Sequence, residues 1–169
     1  MHSFEDLIYR STSFTLTTLE DTNSKIIDAL QTSGSTVHVK NLQMIQLQKT
    51  VFAIGMFSMF DAILQDELTC RNGFESAKRI LKEKKKLELH DHFDHFISAI
   101  NVLKHGEGRS YDHLLSKIEL LPFRIKLKDE NFFDEGDVSE VNTLVEVDDN
   151  FVLNCANLIE TVSHEIRNE

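Results

Sequence analysis

Asn101 and His105 stand four residues apart, a spacing that puts two side chains on one face of a helix, and Arg109 follows beyond a pair of glycines. These residue types carry a definite chemistry. A histidine can take the proton of an RNA 2′-hydroxyl, and a guanidinium can stabilise the charged phosphorane that results, so His105 with Arg109 has the makings of a metal-independent ribonuclease site. Tyr111 and Lys104 extend the set as candidates for RNA binding, although Lys104 is turned about 100° from His105 around a helix. The direction of Arg109 is not fixed by the pattern, because Gly106 and Gly108 intervene. Two other readings use the same residues. Asn101 and His105 can tie down the helix end by hydrogen bonds to backbone, or the group can bind without catalysis.

The element that must position these residues runs from about His90 to His105. Phe93, Phe96, Ile97, Ile100 and Leu103 form an apolar arc, while His90, Asp94, Ser98, Asn101 and His105 share a separate polar arc. Gly106 suits the helix C-terminus, and a protonated His105 in the last turn would complement the helix dipole.

The run Asn101-Val102-Leu103-Lys104-His105-Gly106 resembles the signature of the HEPN superfamily, small helical bundles whose members commonly carry Arg-Asn, three residues, then His, often followed by Gly. Where the family's nuclease members place the arginine, this chain has Ile100. The resemblance therefore implies the fold more than the activity. It further implies a homodimer that brings two copies of the Asn101/His105 region together, and a toxin–antitoxin or phage-defence setting with an antitoxin-like or regulatory partner. Active members of that family cleave RNA without metal at the dimer interface; degenerate members act as binding or regulatory modules. Asp61, within Phe60-Asp61-Ala62-Ile63-Leu64, falls where the second core helix often carries an acid facing the signature helix, so a contact of Asp61 with His105 or Asn101 is expected. Simple exposure at a helix edge is the alternative.

Other chemistry-bearing clusters are weaker. His90 with Asp94, and Asp91 with His95, have the i,i+4 spacing of metal ligands, but the two pairs occupy different faces and read as a solvated helix surface, so no metal or cofactor is expected. Lys84, Lys85 and Lys86, with Lys78, Arg79 and Lys82 before them, concentrate positive charge that could hold an RNA backbone; interleaved Glu75, Glu83 and Glu88 equally fit an exposed salt-linked helix. The acidic stretch 129–137 lacks the ligand spacing of an EF-hand, and Phe132 and Phe133 read as anchors of that loop to the core. Neither Ser110 nor the cysteines have a nucleophile's setting, and no P-loop or dinucleotide fingerprint is present.

Length and composition bound the remainder. The chain has 169 residues, 41% hydrophobic content, one proline and a formal charge of −10. That suffices for a single domain over 1–169 with a real core, and the negative charge excludes a general nucleic-acid coat or membrane-surface protein while leaving room for a local basic groove. Cys70 and Cys155 form no CxxC pair or disulfide framework, which points to a reducing cytoplasm. The N-terminus lacks a secretory pattern, and the apolar run Val51 to Leu64 is too short to span a bilayer and contains Asp61, so it reads as a buried core helix.

Periodicity predicts helices over Phe14–Leu30, Asn41–Leu68, Phe74–Leu89, the signature helix, a short helix capped by Ser110 and running to Lys117, and a last helix from Asp148 or Asp149. Phe123–Lys128 and Asn142–Val147 alternate as two strands. The expected fold is mainly α, a HEPN-like helical bundle with a small β-hairpin before its C-terminal helix. For function the expectation is a non-catalytic or atypical cytoplasmic protein binding RNA or a regulatory protein; a ribonuclease using His105, or a structural interaction module, are the alternatives.

Overall fold

The protein's structure is a computed structural model that describes residues 2–127, 129–130, 132 and 141–168. Among these the chain forms six α-helices: α1 (Phe4–Leu30), α2 (Thr36–Glu67), α3 (Gly73–Glu83), α4 (Leu87–His105), α5 (Arg109–Leu115) and α6 (Asp149–Arg167). Helix starts are set by short polar side chains. Ser3, Ser35, Asn72 and Asp148 each accept a hydrogen bond from a first-turn N–H of α1, α2, α3 and α6, satisfying one of the orphan donors there.

Several boundaries differ from the periodic expectation. α1 begins ten residues before Phe14, because Ser3 caps it and Ile8, Thr12 and Leu16 continue its buried stripe. The expected helix through Leu89 breaks at Lys84–Lys86, where Lys85 adopts a left-handed φ of 58°. Ser110 lies inside α5 and does not cap it; Gly108 holds the cap position at φ 153°, a backbone conformation open to glycine.

α2 is the central helix. It packs against α1, α3, α4 and α6, while α5 packs on α4 alone among the larger contacts. The core is aromatic where α2, α3 and α4 meet. Phe57, Phe60, Phe74 and Phe93 interlock, with Phe74 edge-on to Phe93 at 5.5 Å between centroids, and Phe96 continues the cluster to Phe151 on α6 at 5.1 Å. Each such pair adds about 0.5–1.5 kcal/mol beyond the area it buries. The apolar arc of α4 is thus the inner face of the bundle, as its spacing predicts.

Gly73 lets α3 start against α2. A Cβ there would lie 2.6 Å from both the Asp61 carbonyl oxygen and the Leu64 Cβ. The same close approach brings the Phe74 N–H to Asp61 Oδ1 at 3.1 Å, and Gln65 Nε2 donates to Asp61 Oδ2 at 2.7 Å.

The β-hairpin reduces to one antiparallel bridge, Ile125 with Val145, and no sheet forms among the described residues. Lys126 N–H donates to the Leu144 carbonyl and Glu146 N–H to that of Arg124. Ile125, Val145 and Val147 are buried, but the first segment does not keep its expected alternation: Lys126 is buried too, over the Phe132 ring at 4.9 Å, and Leu127 is exposed. Of the loop between them, Phe132 is buried as expected; Phe133 and residues 134–140 lie outside the described residues.

The length argument against a bilayer span does not survive. Val51–Leu64 is part of the 32-residue α2, the one helix among the described residues long and apolar enough by length and composition to cross a membrane. One third of that apolar window is buried against the other helices.

Candidate functional site

Asn101, His105 and Arg109 do converge. The C-terminus of α4 and the N-terminus of α5 enclose an open cleft of about 280 Å³ lined by Asn101, His105, Gly106, Glu107, Gly108, Arg109 and Ser110. The chain reverses here within Gly106-Glu107-Gly108, and both glycines have positive φ, 75° and 153°, which L side chains avoid. Open space surrounds both Cα positions, so backbone conformation and not crowding is what requires glycine. Across the turn, Arg109 lines the same cleft as His105.

The three side chains are uncommitted. No side-chain hydrogen bond or ion pair among the described residues engages Asn101, His105 or Arg109, and His105 and Arg109 are exposed. The helix end is closed by backbone instead, Gly106 N–H to the Val102 carbonyl at 2.8 Å. The reading in which Asn101 and His105 tie down the glycine loop thus loses its hydrogen bonds. Chemically the cleft offers a carboxamide, an imidazole and a guanidinium to one ligand, with Glu107 as the opposing charge.

The other six candidates fall elsewhere. Tyr111 is buried and its hydroxyl donates to the Lys126 carbonyl at 2.8 Å, which joins α5 to the Ile125 bridge; burial, with nearby carboxylates, pushes its phenol up. Asp61 is spent on α3 and does not face α4's end. Phe74, whose N–H it accepts, packs on Phe93, and His105 is twelve residues further along α4, about 18 Å at 1.5 Å per residue. Lys84, Lys85 and Lys86 sit at the opposite end of α4, about 27 Å from His105 on the same rise. There Lys84 Nζ donates to the carbonyls of Glu165 and Asn168, and Lys86 Nζ pairs with Glu165 Oε1 at 3.0 Å, so two of the three lysines close the C-terminus of α6. Lys104 is exposed but does not line the cleft.

Ile100 is 3% exposed within the hydrophobic core. A charged side chain there would be desolvated without a partner. Any cation for the cleft must come from outside α4, and Arg109 is the one so placed.

The histidine-rich start of α4 is not a solvated face. His90 and His95 are buried, and Asp94 joins Lys78 of α3 (2.9 Å) to His113 of α5 (3.1 Å). Burial pushes the Asp94 carboxyl up, but the Lys78 hydrogen bond and charge, with His113 beside it, outweigh this and hold it low. Burial lowers the His92 imidazole, and lowers that of His95 with help from Lys117 and His113. Asp91 is held low chiefly by its hydrogen bond to His90 at 2.8 Å. No group of three metal-ligating side chains assembles among the described residues. His113 is the residue that sequence reasoning missed; its place opposite Asp94 depends on the turn at Gly106–Gly108, and no local spacing signals it.

No protein-family model matches the chain, and neither a curated protein nor a solved structure is similar to it.

Proposed function

We propose that this chain is a HEPN-like helical protein, non-catalytic or atypical, whose α4–α5 cleft binds RNA, in a toxin–antitoxin or phage-defence setting. The observation that carries the reading is the convergence of unspent Asn101, His105 and Arg109 on one open cleft. Asn101 and His105 are the residues that the HEPN resemblance picks out, and Arg109 takes up the role of cation that buried Ile100 cannot fill. A chain of charge −10 binds phosphates only where its positive groups are both local and free. A regulatory protein presenting an acidic segment is the partner if RNA is not.

The convergence also favours a second reading, a metal-independent ribonuclease with His105 as base and Arg109 stabilising the phosphorane. One assay separates the readings. Purified protein is mixed with a single-stranded RNA pool in EDTA, beside His105→Ala and Arg109→Ala, and both retention and length are followed. Binding without shortening, weakened by Arg109→Ala, supports the binding module. With Arg109 as the one cation lining the cleft, log K should fall against log salt with a slope of about −0.7. Shortening lost in His105→Ala supports the nuclease. Absence of both binding and shortening refutes an RNA function and leaves the acidic protein segment.

A further inference from the structure

The side of α2 that faces away from Phe57 and Phe60 is exposed among the described residues, flanked by α1. Met44, Leu47, Val51 and Met59 are 43–57% exposed on that side, and every exposed position of α2 from Met44 to Ala62 is uncharged. In a chain with 27% charged residues, five successive turns without an exposed charge are not a solvated surface. The adjoining stripe of α1 continues it. Phe4, Leu7, Ser11, Phe14 and Thr18 fall within about 80° around α1, with no charge among them. Between the two helices runs an apolar groove of about 390 Å³, lined by Phe4, Leu7, Ser11, Val51, Gly55 and Met59. Its floor is open at Gly55, where nothing lies within 4 Å of a Cβ position.

Phe14 stands next to this groove. It is 74% exposed, the most exposed large hydrophobic residue among the described residues, and lies one turn along α1 from Ser11 on the groove wall. A knob one turn away from a hole, on the same helix stripe, is self-complementary under a two-fold axis between them: Phe14 of each copy enters the groove of the other. We propose that a second copy of this chain docks here, with the α1/α2 faces meeting about a two-fold axis between Ser11 and Phe14.

Charge and area both favour a second copy over another partner. Two molecules of charge −10 repel, and a charge-free face is where they can approach without opposing like charges. A cationic partner would find nothing on this face to pair with. The uncharged stretch is about 28 Å long and two helices wide, on the order of 560 Å² in plan before side-chain relief, enough for a small, reversible interface and below the ~800 Å² per partner of standard ones. Because α4 packs on the other side of α2, this dimer leaves both Asn101/His105 clefts outside the interface. It does not bring them together, which is where it departs from the dimer implied by the HEPN resemblance. The inference does not rest on the proposed RNA function.

The test is sedimentation velocity of the full chain, wild type beside Phe14→Glu and Gly55→Met. Phe14 is exposed, and Gly55→Met fills open space while raising helix propensity, so neither change should weaken the folded monomer, which thermal melts check. The expected result is a wild type of two chain masses at about 50 µM, with dissociation constants raised roughly thirtyfold or more in each variant. A monomeric wild type at that concentration overturns the proposal. So does a dimer indifferent to both substitutions, which must use another face. Co-flotation of a monomeric wild type with phosphatidylcholine vesicles would assign the same surface to lipid, and equally overturns it.

Discussion

Replacing Arg167 by Met should destabilise the protein by an amount that depends on pH in a calculable way. Arg167, in the last turn of α6, places Nη2 2.9 Å from Glu5 Oε1 at the start of α1 and 2.5 Å from Glu67 Oε1 at the end of α2. Glu5 is 8% exposed. Burial pushes its carboxyl up, but Arg167, the local backbone, Ser163 and Ser3 together pull it down from an ordinary 4.5 to about 2. A depressed acid stabilises the fold fully above its unfolded value, and that stability is lost as pH falls through the folded one. The shift of 2.5 pH units is worth about 3.4 kcal/mol at pH 7, of which roughly 1.4 kcal/mol remains at pH 3. Arg167 supplies part of this and is itself 41% exposed, so Arg167→Met should cost about 2 kcal/mol at pH 7 and under about 1 kcal/mol at pH 3. Urea unfolding followed by circular dichroism at the two pH values measures both. An equal penalty at pH 7 and pH 3, or one below about 0.5 kcal/mol at pH 7, would refute the assignment of Glu5 to Arg167.

Gly73→Ala should lower stability by about 1–3 kcal/mol in thermal or urea unfolding, because its Cβ meets backbone and Cβ atoms of α2 that cannot rotate away; a neutral result would mean that α3 can lift from α2 at little cost. Asp61→Asn should perturb the Phe74 amide resonance and leave the His105 ring resonances in place by NMR. Displaced His105 resonances would put the carboxylate at the cleft. Cys155 is fully buried and its thiol is pushed up by burial, so in the native protein Ellman's reagent should label Cys70 alone, with Cys155 reacting only on unfolding.

Where a residue's fate is set by its own helix, the sequence was a good guide. Phe93, Phe96 and Ile100 of the apolar arc of α4 and the stripe Phe151, Val152, Cys155, Leu158, Ile159 and Val162 of α6 are buried as their spacing requires, with Ile97 and Leu103 partly buried at the edge of the α4 arc. Asp148 caps α6 through the Phe151 N–H at 2.7 Å, a purely local signal. The cleft was legible to the same degree, since Asn101, His105 and the glycine turn are contiguous in sequence. What failed depended on long-range packing. Asp61 reads as an acid in an apolar helix, and nothing local reveals that its partner is the N–H of Phe74, brought in by Gly73. His90, Asp94 and His95 read as a hydrated face because the helices that cover them, α3 and α5, supply Lys78 and His113 from distant sequence. Ile27 has helical spacing with the core of α1 yet is 45% exposed, since propensity and period do not say where the neighbouring helix ends.

Cations decide what this chain can bind. With 28 acids against 18 lysines and arginines, a surface that attracts phosphate must be made by leaving particular cations unpaired. Most of the obvious ones are taken: Lys49 by Asp149, Lys78 by Glu75 and Asp94, Lys84 and Lys86 by the end of α6, Arg124 by Glu146, and Arg167 by Glu5 and Glu67. Each of these joins two segments of chain, so removing it costs folding before it could cost binding. Arg109 differs in that it is exposed, unpaired among the described residues, and shares a cleft with His105 and Asn101. A charge left unpaired contributes little to stability, and at this turn it stands where a ligand would meet all three side chains. Loss of binding in Arg109→Ala without loss of stability is therefore the pairing of outcomes that separates a binding role from a structural one.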